Sequence, residues 1–292
     1  MKFKRLFPLI LLFLAACTSP PQTKAPFSFT AFAAPLAHTP ERCATPEEEA
    51  LTTEALAQDY RFLGSGGQCT TFESSDGRFV IKFFKKKAYA LPPWVEQFPL
   101  QWLIAPLKKS QTKKKKHRKE KAFSAFTLCY DALPAETGLI YMHLSPRSLG
   151  RSLNLIGPDQ AAYQISLNDY AFVIQKKATL PFAYIGAKIA LGDRGGALSA
   201  IEALLKLHVQ LYQRGIRNRD ANFRSNCGFV GSTPIIIDLG RIVYSEAIKK
   251  PENYAPELER FLPRLRLWLS STHPDLLPDF EEIVVKITRR ET

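Results

Sequence analysis

Four short stretches of this 292-residue chain carry residue types that could handle phosphate and a metal ion. Leu63-Gly64-Ser65-Gly66-Gly67 is a glycine turn, and without Cβ atoms its backbone can approach an anion closely. Phe79-Val80-Ile81-Lys82 reads as an apolar strand interrupted by a lysine. Lys85, Lys86 and Lys87 lie beyond that strand, where exposure is ordinary, so Lys82 is the cation whose position needs a reason. Asn218-Arg219-Asp220 falls in a polar loop, and Ile237-Asp238-Leu239-Gly240 sets a carboxylate at the mouth of an apolar strand before a glycine turn. A charge there is costly without a partner, which makes Asp238 a candidate ligand for a hard cation such as magnesium.

In this order the four stretches resemble the protein kinase-like fold. The resemblance implies an α+β, bilobal protein: a small lobe built on an antiparallel sheet and a mainly helical large lobe. It also implies phosphoryl transfer to a hydroxyl, with ATP and Mg2+ as cofactors. Under it Gly64, Gly66 and Gly67 cover the nucleotide phosphates, Lys82 grips them, and Glu120 pairs with Lys82. Asp220 orients the acceptor, while Asp238 and Asn226 hold metal. The chain departs from the pattern at several places. Cys69 stands where a third glycine is expected and Asn218 where a histidine is usual. Ser225 occupies the place of the metal-binding asparagine, with Asn226 one residue later and Asn222 as an alternative. Ala255-Pro256-Glu257 spells the triplet that closes a protein kinase activation segment, and it is equally an ordinary helix start. These departures keep open a second reading, an exported pseudokinase that serves as a binding or scaffold module.

The elements that must position these residues are visible in the hydrophobic pattern. Thr45, Pro46 and Glu48 form a capping box that opens a helix to about Asp59. Strands are predicted at Tyr60 to Leu63, Gln68 to Phe72 and Arg78 to Phe84, the last two joined by Ser74-Ser75-Asp76-Gly77. An insertion over 92–121 precedes a helix from Arg118 to Ala132, and two more strands, Thr137 to His143 and Tyr170 to Ile174, complete a small lobe spanning 45–178. Gln175 to Leu180 is the expected hinge to a compact large lobe, 179–292. There Leu198, Ile201, Leu204, Leu205, His208, Leu211 and Tyr212 recur at helical spacing, Gly215 follows as a stop, and His208 reads as a core histidine. Cys227 to Val230 and Ile235 to Ile237 form a hairpin ending at Asp238. Leu258 to Leu269 is amphipathic with a break at Pro263, and Asp279 to Ile287 is a last helix.

The amino-terminal segment poses a separate question. Lys2, Lys4 and Arg5 precede an apolar run, Leu6 to Ala16, which is too short to span a bilayer and resembles a secretory signal. Leu14-Ala15-Ala16-Cys17 is similar to a bacterial lipobox, which implies cleavage of 1–16, lipidation of Cys17, and a chain anchored to a bacterial cell membrane or outer membrane. A plain signal peptide is the alternative. The Pro-, Ala-, Ser- and Thr-rich segment 17–44 reads as a flexible tether. An exported protein leaves the ATP pool, which bears on whether a kinase there would turn over.

Formal charge is +13, or +10 once Lys2, Lys4 and Arg5 are removed. Nine basic residues against the single acid Glu120 lie between Lys108 and Lys121, so the remaining mature chain is close to neutral at +2. This excludes a generally basic nucleic-acid binder and leaves one basic segment suited to anionic lipid or an acidic partner. No aromatic residue interleaves the lysines, which disfavours single-stranded nucleic acid. A solvated, mobile loop is the plain alternative for that run. Of the other cysteines, Cys43, Cys69, Cys129 and Cys227 show no metal-site spacing and read as buried free thiols.

Overall fold

The helix opened by the capping box is present: α1 (Pro46–Leu56) begins with Thr45 Oγ1 accepting from the Glu48 N–H at 3.2 Å and Glu48 Oε2 accepting from the Thr45 N–H at 2.9 Å. The computed structural model describes residues 27–35, 44–91, 93–97, 99, 102–220 and 222–289. The signal sequence, Cys17 and Cys43 lie outside the described residues.

After α1 come β1 (Tyr60–Ser65), β2 (Cys69–Ser74), β3 (Phe79–Phe84), a short α2 (Pro93–Gln97) and the long α3 (Ala105–Ala132). Then follow α4 (Pro134–Thr137), β4 (Leu139–His143), β5 (Ser152–Ile156), β6 (Ala162–Ser166) and β7 (Phe172–Lys176). Seven strands form one sheet in the order β4-β7-β3-β2-β1-β5-β6, antiparallel throughout except for the parallel pair β1 and β5. The large lobe holds α5 (Pro181–Ala190), α6 (Arg194–Gln213), β8 (Ile216–Asn218), β9 (Cys227–Val230), β10 (Thr233–Ile236) and β11 (Ile242–Tyr244). It ends with α7 (Pro251–Glu259), α8 (Leu262–Thr272) and α9 (Leu277–Arg289). The architecture is α+β and bilobal.

Alternation along the strands assigns the two faces of the sheet. Phe79, Ile81 and Phe83 of β3, with Phe172 and Ile174 of β7, join one apolar cluster on the outer face. Phe84 of β3 and Ala171 and Val173 beside and within β7 join the other, which continues through Phe123 and Phe126 of α3 into the large lobe. Lys82 therefore shares the inner face with Phe84. In the large lobe Ile201, Leu204, Leu205, His208, Leu211 and Tyr212 are all buried along α6, as their spacing predicts. His208 is a core histidine: burial pushes its imidazole down to about 4, and Nδ1 lies 2.9 Å from the Leu204 carbonyl. Gly215 ends the helix at φ +77, a left-handed conformation that suits glycine. Pro263 marks a fresh start, since α7 ends at Glu259 and α8 opens with Pro263 in its first turn.

Three features depart from the sequence pattern. The lysine run is not a loop: α3 starts at Ala105, thirteen residues before the predicted start at Arg118, and carries all nine basic residues. Lysine and arginine are good helix formers, so a polar stretch can continue a helix nucleated by packing further along. β5 and β6 escaped notice because they are half-exposed strands at one end of the sheet, with only Leu153, Leu155 and Ile165 buried. Within the 17–44 segment, residues 27–35 are packed onto the sheet and not extended as a tether. Phe32 stacks on Phe83 with ring centroids 5.0 Å apart, the Ala33 N–H donates to the Phe84 carbonyl and the Ala171 N–H to the Ala33 carbonyl, both at 2.7 Å. The small residues around Phe27, Phe29 and Phe32 dilute the local hydrophobicity that would have announced this.

Replacing Phe32 by Ala removes a ring that is only 3% exposed, so Phe32→Ala lowers unfolding stability by about 3 kcal/mol in denaturant titration. A change below about 0.5 kcal/mol would mean that the segment does not pack.

Candidate functional site

A cleft of about 780 Å³ lies between the lobes and collects the four stretches. Its roof is the β1–β2 turn. The Gly66 N–H donates to the Cys69 carbonyl at 2.9 Å, the Lys85 N–H donates to the Gln68 carbonyl at 2.8 Å, and the Lys85 ammonium donates to the Gly66 carbonyl. Space is open beside Gly64 and Gly67, with no atom within 4 Å of where a Cβ would stand. A ligand can thus reach the backbone of the turn.

Lys82 enters from β3. Its Nζ donates to Gln175 Oε1 and to the Ile237 carbonyl, both at 2.6 Å. The register explains the first contact: Val80 faces Gln175 and Lys82 faces Val173, so Lys82 and Gln175 are diagonal neighbours on one face of β3 and β7. Gln175 is fully buried, and its Nε2 donates to the Thr137 carbonyl at 2.5 Å and the Ile236 carbonyl at 3.1 Å. One amide therefore ties β7, α4 and β10 together while presenting its oxygen to the lysine. Burial lowers the Lys82 pKa, opposed by the neighbouring Cys69 and by the Asp238 carboxylate.

The floor comes from the large lobe. Asn218, buried on β8, accepts from the Asp220 N–H at 2.9 Å and so fixes the loop where a histidine was expected. Pairing of β8 with β11, Asn218 opposite Ile242, brings the Asp220 loop beside the segment after Asp238. The Asn226 carbonyl receives the N–H groups of Ile237 at 2.9 Å and Asp238 at 3.4 Å, while its Nδ2 donates to the Asp220 carbonyl at 3.4 Å. Asp238 Oδ1 accepts from the Gly240 N–H at 3.3 Å, which aims an exposed carboxylate into the cleft. The hinge closes the back: Thr179 bridges Phe229, and a Cβ on Gly228 would stand 2.7 Å from the Thr179 carbonyl, so only glycine lets the two backbones lie this close.

The structure thus brings Gly64, Gly66, Gly67, Lys82, Asp220, Asn226 and Asp238 to one cavity. Asn222 does not line it; its Oδ1 accepts from Arg264 at 2.8 Å and its Nδ2 donates to Ser225 at 2.7 Å. Glu120 is not brought to Lys82. It sits 56% exposed on α3, 4.0 Å from Lys116, because the helical register turns it outward and sends Arg118 into the cleft instead. Glu257 of the Ala255-Pro256-Glu257 triplet lies within α7 and pairs with Arg217 at 2.5 Å and Arg260 at 2.9 Å, a bracing role away from the cleft. Sequence reasoning missed Gln175, which follows the apolar run Phe172 to Ile174 and reads as the start of a polar hinge. Gln68, Arg118 and Arg241 also line the cleft and carried no signal of their own.

Whether nucleotide and magnesium suit this site can be judged from the donors present. A cavity with an approachable glycine turn, an ammonium and two carboxylates on facing walls fits a phosphate chain with its cation. No three His, Cys, Asp or Glu side chains among the described residues form a metal cage. Magnesium often takes only one or two protein carboxylates and completes its shell with phosphate and water.

The lobes, the hinge and the positions of turn, lysine and paired loops give a bilobal kinase-like fold. No protein-family model matches the chain, and no curated protein matches it. Among solved structures it is similar to the bifunctional kinase-methyltransferase WbdD, at 15% identity and TM-score 0.37, covering 77% of this chain and 42% of that one. It is similar to the ROP18 kinase domain in complex with AMP-PNP and sucrose, at 15% identity and TM-score 0.34, covering 63% and 51%. It is also similar to Rv3197 from Mycobacterium tuberculosis, in complex with erythromycin, at 18% identity and TM-score 0.36, covering 82% and 60%. The chain spans about half the length of these chains.

Cys69, at the position of the third glycine, has its thiol pushed up to about 12 by burial and by the nearby Asp238 charge, against the opposing pull of Lys82 and Lys85. Cys69 is half-buried, whereas Cys129 and Cys227 are buried, with thiols raised by burial. Alkylation of Cys69 by iodoacetamide at pH 8, followed by mass spectrometry, is expected to be on the order of a thousandfold slower than that of free cysteine. Labelling at the free-cysteine rate would show that the turn opens.

Proposed function

We propose that this chain is an ATP- and magnesium-dependent phosphotransferase acting on a hydroxyl acceptor. The observation that supports the reading is the convergence of Lys82, Asp220, Asn226 and Asp238 with the glycine turn in a single interlobe cleft. Lys82 would hold the phosphates beneath Gly64, Gly66 and Gly67, and Asp238 with Asn226 would hold magnesium. Bound there, ATP would supply the phosphoryl group and magnesium would neutralise its charge. Asp220 would accept the hydrogen bond of the acceptor hydroxyl and take its proton as the oxygen attacks the γ-phosphorus, the bond to the β-phosphate oxygen breaks and ADP leaves.

One observation favours a second reading. Lys82 is held by the neutral amide of Gln175 and a backbone carbonyl, and Glu120 stands elsewhere. A kinase-like module that binds nucleotide without turnover, a pseudokinase, would have the same cleft.

Titration of the protein with ATP, with and without magnesium, separates these readings. Magnesium-dependent binding is expected, weakened at least about tenfold by Asp238→Ala and by Lys82→Ala, the loss of one charge-assisted contact each. No binding by the wild type contradicts both readings. Binding without transfer of labelled phosphate to any hydroxyl acceptor selects the second.

The basic start, the apolar run and Leu14-Ala15-Ala16-Cys17 support a further proposal, that the mature chain is a lipoprotein anchored through Cys17 to a bacterial membrane. Metabolic labelling with a radioactive fatty acid should then disappear in Cys17→Ser. Label retained by that variant defeats the anchor.

A further inference from the structure

Apart from Arg118, which lines the cleft, the first half of α3 has no counterpart in its chemistry. From Ala105 to Lys121 the helix rises about 24 Å at 1.5 Å per residue, and its buried side chains begin only at Ala122. Lys108, Lys109, Lys113 to Lys116, Arg118, Lys119 and Lys121 circle this stretch, since four consecutive lysines cover every side of a helix. The one acid is Glu120, 4.0 Å from Lys116 in an exposed i,i+4 pair, so the helix does not neutralise itself. At the tip three apolar residues stand in solvent: Trp102 is 72% exposed, Leu103 52% and Leu107 41%.

We infer that this tip and the lysine-rich turns behind it dock onto the surface of an anionic lipid bilayer. A basic field next to an exposed indole and two leucines matches an interface with phosphate headgroups outside and acyl chains beneath. The composition selects this partner over nucleic acid. Eight of the nine basic residues are lysine, which supplies diffuse charge and not the forked donors that read phosphates or bases individually. Leu103 and Leu107 would gain nothing from a phosphate backbone, whereas each finds an apolar phase below a headgroup layer. No described helix is long and apolar enough to cross a membrane, so the contact is with the surface. It goes beyond the phosphotransferase reading and does not depend on it. At its base the same helix places Arg118 and Phe126 in the cleft wall, so docking would orient the cleft relative to the membrane.

The test is co-sedimentation of the full chain carrying Cys17→Ser, which removes lipidation, with phosphatidylcholine vesicles containing or lacking phosphatidylglycerol. The apolar run near the amino terminus sets the same baseline in both. Phosphatidylglycerol is expected to strengthen binding, and Lys113→Gln, Lys114→Gln, Lys115→Gln and Lys116→Gln together to weaken it by about six-hundredfold, at roughly fivefold per lysine. The corresponding four Lys→Arg changes keep the charge and should keep the binding. Trp102→Ser should weaken it without altering charge. The inference is overturned if phosphatidylglycerol has no effect, if the glutamine variant binds like wild type, if glutamine and arginine variants lose binding alike, or if duplex or single-stranded DNA competes the protein off the vesicles.

Discussion

The structure turns on how a lysine ammonium is kept inside a protein. Lys82 reaches the interlobe space from a strand flanked by phenylalanines, where its charge is costly to bury. Its two hydrogen-bond acceptors, the Gln175 amide and the Ile237 carbonyl, are both neutral. They satisfy donors without supplying a counter-charge, so the site carries a standing electrostatic deficit that an anion can fill. Asp238, one residue beyond the Ile237 carbonyl, is the nearby negative group that opposes the effect of burial.

Around that contact the two lobes share their hydrogen bonds. Gln175 belongs to the last strand of the small-lobe sheet yet donates to Ile236, at the end of the hairpin that presents Asp238. Thr179 lies against Phe229 only because Gly228 has no side chain. Asn226 then joins the Asp220 loop to the Asp238 segment through its own backbone and amide. The spacing of Lys82, Asp220 and Asp238 is thus fixed by buried polar bridges, which are costly to break.

Much of this was legible in the chain. The glycine turn, the lysine interrupting an apolar strand and the carboxylate at a strand mouth each violate a local rule, and rule-breaking of this sort is where function collects. The capping box at Thr45, the stripe ending at Gly215 and the hairpin before Asp238 were legible because local periodicity and turn chemistry decide them. What was not legible depends on tertiary context. Glu120 could be placed on a helix but not on the correct side of it, because the true start at Ala105 and the packing of Phe123 and Phe126 set the rotation. Residues 27–35 hold the sheet through three phenylalanines scattered in a bland sequence, and Gln175 acts through partners 38 and 61 residues away.

On the proposed reading, the deficit at Lys82 is filled by the phosphates of a nucleotide whose cation sits on Asp238. A crystal structure of the full chain grown with AMP-PNP and manganese tests this directly, since manganese is located by its anomalous scattering. The triphosphate is expected beneath Gly64 to Gly67 with an oxygen in contact with the Lys82 Nζ, and the manganese on Asp238 and Asn226. A cleft without nucleotide at saturating concentration, or a nucleotide whose phosphates lie away from Lys82, would contradict it.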